Sequence, residues 1–244
     1  MTAAQKIRKT ILFFLFLLFP AYYNYLSPML IVEGAWQGIA VASLLFWSFF
    51  FITSLFIGRA GCSYFCPLGA VQTIKHHAGG DQYKKVKYLS IAKYVLFIFW
   101  VVPIVLGIIS AGGVYKIDLL YNSSILSVDS MEALIRFYIV LSLPLIFAYL
   151  FGKMGFCHYF CPFSVLNILG TRIKRILKIP SLHLSCNKSS CSDCKQCDRV
   201  CPMDIRVSEE VKNGRVENSS CILCGECSAA CKSSVLKRKF GREA

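Results

Sequence analysis

From Thr10 to Gly58 the chain runs forty-nine residues in which the only Asp, Glu, Lys or Arg is Glu33. That is enough for two helices of the ~20 apolar residues a bilayer core requires. The turn-forming stretch Asn24 to Pro28, and on through Glu33-Gly34, predicts the break between them, with Trp36 as an interfacial anchor. The expected spans are 10–30 and 36–57. Two more apolar runs predict spans at 89–110 and 133–151, with Lys93 and Arg136 close enough to their ends to snorkel. Pro20, Pro103 and Pro144 fall inside spans, where neighbouring helices can satisfy the freed carbonyls. Basic residues precede the first run, but it is too long for a signal-peptide core and no small-x-small site follows, so it is expected to be retained.

Composition agrees with lipid as the solvent: 56% of residues are hydrophobic, 16% are charged, and the mean hydropathy is +0.56. A net charge of +14 would suit nucleic acid if it were spread evenly, but it is not. Lys6, Arg8 and Lys9 precede the first span. Arg59, Lys75, Lys84, Lys85 and Lys87 follow the second, and Lys153, Arg172, Lys174, Arg175 and Lys178 follow the fourth. Against these, the loop over 112–132 sets one lysine, Lys116, beside Asp118, Asp129 and Glu132. Basic loops stay inside, so both termini are expected in the cytoplasm, in a multi-pass protein of the cytoplasmic membrane. The charge is a topology signal, and no nucleic-acid partner is expected.

Thirteen cysteines fall in clusters rather than in the scatter of a disulfide framework. Cys191-x2-Cys194-x2-Cys197-x3-Cys201-Pro202 is the bacterial ferredoxin run, and it recurs as Cys221-x2-Cys224-x2-Cys227-x3-Cys231. Three thiolates in a tight loop hold three corners of a cubane, while the fourth leaves with the chain and serves the other cluster. The expected ligands are Cys191, Cys194, Cys197 and Cys231 for one [4Fe–4S] cluster, and Cys221, Cys224, Cys227 and Cys201 for a second. Paired zinc sites space their cysteines more widely than four in eleven residues. Cys186-x4-Cys191-x2-Cys194 also matches the opening of the plant-type [2Fe–2S] spacing; the duplicated full motif outweighs it, which leaves Cys186 as a structural thiol.

A second pattern repeats at the membrane. Cys62-Ser-Tyr-Phe-Cys66-Pro67 and Cys157-His-Tyr-Phe-Cys161-Pro162 lie 95 residues apart, each after a pair of spans and a Gly-basic step, Gly58-Arg59 and Gly152-Lys153. Proline favours the first helical position, so helices are expected from Pro67 and Pro162, with Cys66 and Cys161 at their N-termini where the dipole favours thiolate. Parallel repeats in a membrane are related by an axis along its normal, which would bring the four cysteines together. Such a site suits a third iron–sulfur cluster, or Cu(I) or dithiol chemistry; four half-buried structural cysteines are the plain alternative. The expected fold is an all-α polytopic membrane domain over 1–180, with four transmembrane helices in two parallel repeats. A small α+β dicluster ferredoxin-like domain follows over 181–244.

With spans in two pairs, both Cys-x3-Cys-Pro motifs (Gly58-Arg59 through Leu68, and Phe156 through Phe163) and the cluster motifs from Cys191 to Cys231, the chain resembles the NapH-type membrane ferredoxin proteins. Those are quinol dehydrogenase subunits associated with periplasmic nitrate reductase, related to the membrane parts of the regulators of nitrous oxide reduction and to cytochrome oxidase accessory proteins. The resemblance covers essentially the whole chain. It implies electron transfer between membrane quinone and a soluble or membrane redox partner inside a larger complex.

The four histidines, His76, His77, His158 and His183, all lie outside the expected spans, so paired-histidine haem ligation is not expected. If quinol is oxidised near the cytoplasmic repeat, His76, His77 or His158 is a candidate proton acceptor, and Arg59, Lys153, Tyr64 or Tyr159 could bond the head group. No P-loop, nucleotide fingerprint or hydrolase motif is present. Two other functions compete: a metal-handling or assembly factor whose membrane cysteines bind copper for the clusters to reduce, and a structural anchor for a soluble iron–sulfur subunit.

Overall fold

The computed structural model describes residues 3–78, 88–121 and 130–241, the side chains of 74–78 excepted. The first apolar run does not form one helix over 10–30. Helix α1 (Ala3–Tyr22) stops at a 3-10 turn over Tyr23–Leu26, and a nine-residue helix α2 (Pro28–Trp36) restarts behind it. Pro28 lacks the N–H that a continuing helix needs, and it sits at the start of α2, where none is needed. Along α1 one face turns inward through Gln5, Arg8, Leu12 and Phe19, while Phe13, Phe14, Leu17 and Leu18 stay exposed.

Residues 36–41 do not belong to the next helix either. The chain leaves α2 through Gly38, at φ 65°, and forms strand β1 (Ile39–Val41) before α3 (Ala42–Ile57). After α4 (Ala60–Tyr64) and α5 (Pro67–Ala78), a 3-10 turn over Tyr88–Ile91 leads into α6 (Ala92–Ser110). Strand β2 (Lys116–Asp118) then pairs in parallel with β1, Ile39 opposite Lys116. The membrane domain is therefore not purely helical. Helix α7 (Met131–Phe151) is capped by Ser130, whose Oγ accepts from the N–H of Ala133 at 3.2 Å.

Among the described residues three stretches are long and apolar enough to cross a membrane, Ala3–Trp36, Tyr88–Ser110 and Met131–Phe151, where four spans were expected. Helix α3, at sixteen residues, falls short of the ~20 of a full span. Apolar side chains such as Ile98 and Phe99 on α6 and Ile139 and Leu150 on α7 are exposed, as lipid-facing surface requires. These helices make the chain a multi-pass membrane protein. Of the basic loop, Lys84, Lys85 and Lys87 lie outside the described residues.

Two further helices, α8 (Gly155–Tyr159) and α9 (Pro162–Ile176), complete a local repeat: apolar helix, glycine, short helix, Cys-Pro, helix. Gly58 (φ 57°, ψ −140°) and Gly152 (φ 70°, ψ 174°) end α3 and α7 in backbone conformations that side chains exclude. The halves exchange partners, with α3 packed on α9 and α7 packed on α5. The α3–α9 crossing is close at Gly170, where a Cβ would collide with Ser54 Oγ.

The tail opens on β3 (Ser181–Cys186), antiparallel to β4 (Leu236–Gly241) with Cys186 opposite Leu236. Between them lie α10 (Gln196–Arg199), α11 (Val207–Lys212) and α12 (Glu226–Ala230). A thirty-residue shift superposes the left-handed residues of its halves: Asp193, Lys195 and Asp204 have positive φ, as do Leu223, Gly225 and Ser234. Five of these six are not glycine, so both cysteine loops hold the same tight, strained course.

Candidate metal centres

Each tail cavity draws cysteines from both halves. Cys191, Cys194, Cys197 and Cys231 line one of about 330 Å³, beside Val211 and Leu236. Cys194 is exposed, and the N–H of Gln196 and the hydroxyl of Ser192 hold its thiol below the ordinary value. Burial and the Asp198 carboxylate push Cys197 up to about 11. Cys201, Cys221, Cys224 and Cys227 line the other, a narrow cavity of about 20 Å³ walled by Leu184, Val207 and Val216. Ile205 N–H donates to Cys201 Sγ at 3.4 Å. Burial, first, and the neighbouring thiols push Cys224 up to about 12. Cys186 lines neither cavity.

Among the described residues no three His, Cys, Asp or Glu side chains converge as a single-ion site demands. In the tail the thiols instead come four at a time, the first set around a volume of about 330 Å³, and soft donors so arranged fit a polynuclear cluster better than one tetrahedral ion.

The membrane motifs form a third group. Cys62 lies on α4, Cys66 just before α5, Cys157 on α8, and Cys161 at the N-cap of α9; all four are buried. They lie close enough to repel one another as thiolates: Cys66 with Cys157 and Cys62, and Cys161 with Cys66 and Cys62. The halves are tied here by Gln72 of α5. Its Nε2 donates to Cys157 Sγ at 3.1 Å, and its Oε1 accepts from the N–H of Phe156 at 3.1 Å. Burial pushes all four metal-free thiols up, Cys161 to about 12.

Arg59 opposes that shift. It hydrogen-bonds the Cys62 thiolate and acts electrostatically on Cys157 and Cys161. The residue is 1% exposed, its guanidinium donates to the Ser219 carbonyl at 3.3 Å, and its Nε is buried with no partner among the described residues. Four clustered thiols beside a buried cation with one N–H to spare fit an anionic cluster, which would take up that donor.

The inner tail cavity and the membrane motifs share one core, in which Ala60, Cys62, Met154 and Cys157 pack with Cys201, Cys224 and Cys227. Polar contacts fasten the join. Arg8 reaches Glu226 Oε1 at 2.5 Å, Gln5 Nε2 donates to the Cys224 carbonyl at 2.9 Å, and Lys153 reaches Asp204 at 3.3 Å. Arg238 hydrogen-bonds the Tyr64 hydroxyl. Gln5, Arg8 and Gln72 escaped the sequence reading as site residues. The available signal was Gln5 and Arg8 continuing the apolar face of Leu12 and Phe19. Of the other candidates, His158 borders the join and meets the Tyr159 ring at 4.7 Å between centroids. His76 and His77 lie on α5 with side chains outside the described residues.

Residues 39–76 and 134–180 each match the family described as a 4Fe-4S binding domain, the first match holding Cys62 and Cys66 and the second Cys157 and Cys161. Residues 190–236 match the family described as a 4Fe-4S dicluster domain and contain both ferredoxin runs. Two uncharacterized proteins of Methanocaldococcus jannaschii are similar. One is 26% identical over 78% of this chain and 75% of its own length, the other 23% over 95% and 85%. "Putative electron transport protein YccM" of Escherichia coli is 25% identical over 80% of this chain, which spans 56% of that protein. No solved structure matches.

Proposed function

We propose that this chain, which belongs with the NapH-type membrane ferredoxin proteins and carries two [4Fe–4S] clusters in its tail, is the membrane electron-transfer subunit of a larger redox complex. It passes electrons between the quinone pool and those clusters. The observation that carries this reading is the shared core of Cys62 and Cys157 with Cys201, Cys224 and Cys227, while Cys194 of the other set is exposed. Such an order supports a path from the membrane cysteines through an inner tail centre to an outer one.

In this reading Cys201, Cys221, Cys224 and Cys227 hold the inner cluster, and Cys191, Cys194, Cys197 and Cys231 the outer. Cys62, Cys66, Cys157 and Cys161 hold a third. The clusters supply one-electron acceptors; the protein excludes water around the inner groups and offsets their charge with Arg59 and Lys153. A quinol that gives up two electrons to oxidised clusters also releases two protons, toward the face where the basic loops lie. With α3 as a fourth, shorter crossing both termini are cytoplasmic, and the redox partner docks where Cys194 is exposed.

The test is anaerobic purification with iron and acid-labile sulfide counts, then EPR after adding a reduced quinol. Expected are about twelve irons, four per cluster, with reduced-cluster signals after quinol. Zinc without sulfide would sink the cluster assignment; clusters that quinol leaves oxidised would sink the quinone coupling.

A further inference from the structure

We propose that an isoprenoid quinone lies along one face of α6, its ring in the polar cavity against the ferredoxin domain and its tail in an apolar groove further along the same helix. This rests on the quinone reading above and adds the place. The polar cavity, about 560 Å³, is lined by Lys93 and Tyr94 of α6, His158 of the second membrane motif, and Met203, Asp204 and Ser220 of the tail. The groove, about 280 Å³, is lined by Phe97, Trp100, Val101 and Ile104 of α6 with Trp47 and Phe51 of α3. The α6 positions involved are 93, 94, 97, 100, 101 and 104, which are successive turns of one helical face. From Lys93 to Ile104 that face runs about 17 Å at 1.5 Å per residue. The two cavities thus line up as head and tail of one elongated amphiphile.

The chemistry at each end selects the occupant. Tyr94, Lys93, His158 and Ser220 offer hydrogen bonds for ring oxygens, whereas Lys93 and Arg206 stand against three carboxylates, Asp204, Glu209 and Glu210, so the lining has no cationic excess to offset the cost of an anionic phospholipid head. A neutral quinol ring meets no such penalty. Aromatic walls at Trp47, Phe51, Phe97 and Trp100 suit a branched, unsaturated tail. The ring would also sit between the cysteine groups: His158 follows Cys157, Met203 lies just beyond Cys201, and Ser220 precedes Cys221. The groove wall continues to the fourth membrane cysteine, because Trp47 packs on Phe163 at 5.3 Å and shares a core with Cys161.

Two of the three tryptophans, Trp47 and Trp100, line the groove, so quinone binding is readable as quenching of their fluorescence. Full-length Trp36→Phe protein in phosphatidylcholine nanodiscs is titrated with decylubiquinone, and cluster reduction by decylubiquinol is followed by EPR. Saturable quenching is expected, weakened about tenfold by Lys93→Met at the ring end and by Val101→Phe, which fills the groove. Saturable binding and cluster reduction that both variants leave unchanged would overturn this location and spare the quinone reading. A wild type that neither binds decylubiquinone nor is reduced by decylubiquinol would overturn both. Displacement of the quinone by equimolar phosphatidylglycerol would make the groove a lipid site and overturn the proposal. Should a variant lose its iron, photolabelling of the wild-type chain with an azidoquinone decides: label on α6 or α3 supports the site, and label confined elsewhere overturns it.

Discussion

Arg59 and Lys153 hold equivalent positions in the two halves of the membrane domain, each just after a glycine with positive φ, and each reaches out of its own half to hold the tail beside an inner-set cysteine. Arg59 donates to the carbonyl of Ser219, two residues before Cys221. Lys153 pairs with Asp204, three residues after Cys201. The repeated Gly-basic step thus places two cations at the junction where thiolate charge accumulates.

Removing these cations should make the adjoining clusters harder to reduce, since each stabilises the more negative state. Lys153→Gln is expected to lower the reduction potential of the inner tail centre alone. Arg59→Gln should also lower that of the third cluster proposed at the membrane cysteines, because it acts on Cys62, Cys157 and Cys161. An EPR-monitored redox titration reads both; unchanged potentials in Arg59→Gln would remove the arginine from the site.

Arg8 is 1% exposed and depends on Glu226 for its counter-charge. Glu226→Ala should cost about 3 kcal/mol, because it strands a buried cation at the join. Thermal loss of cluster absorbance measures it. Arg8→Met combined with Glu226→Leu should recover most of the loss, whereas additive damage would point to packing rather than charge.

Thiol reactivity should be ordered by place. In metal-free, reduced protein near neutral pH, Cys194 should be alkylated first, being exposed and lowered in pKa. Cys66 and Cys161 should react last, being buried with raised values. Cluster loading should protect Cys194. Mass spectrometry of a timed iodoacetamide reaction reads the order, and early labelling of Cys161 would contradict the enclosed membrane group.

Gly170→Ala should strain the α3–α9 crossing by about 1–3 kcal/mol, as overpacking does, since the new methyl meets Ser54 Oγ. Ser54→Gly in the same chain should relieve it. Chemical denaturation in detergent measures both; a single variant as stable as the wild type would mean that the helices separate freely.

Much of the site was legible before any fold, for a local reason. Cluster ligation is written in short cysteine spacings, and the crossed use of the fourth cysteine follows from chain direction, so the grouping of Cys201 with Cys221, Cys224 and Cys227 could be expected from the sequence alone. Helices starting at Pro67 and Pro162 follow from the missing proline N–H. The division of the first apolar region was not legible. Hydropathy records the length of a run, whereas Pro28 and Gly38 decide where the backbone stops and turns, and the β1–β2 pairing needs a strand 77 residues away, from Ile39 to Lys116.

The sequence by itself determined the soft-ligand chemistry, the lipid-facing composition and the internal repeat, because each depends on residue type at short spacing. Tertiary structure alone decided how the parts meet. It turned Arg8 from an apparent topology charge into a buried tie to Glu226, set Gln72 of one half on Cys157 of the other, and buried Cys66 and Cys161. Burial and distance between remote segments arise only when the two halves and the tail close on one another, and no local pattern carries them.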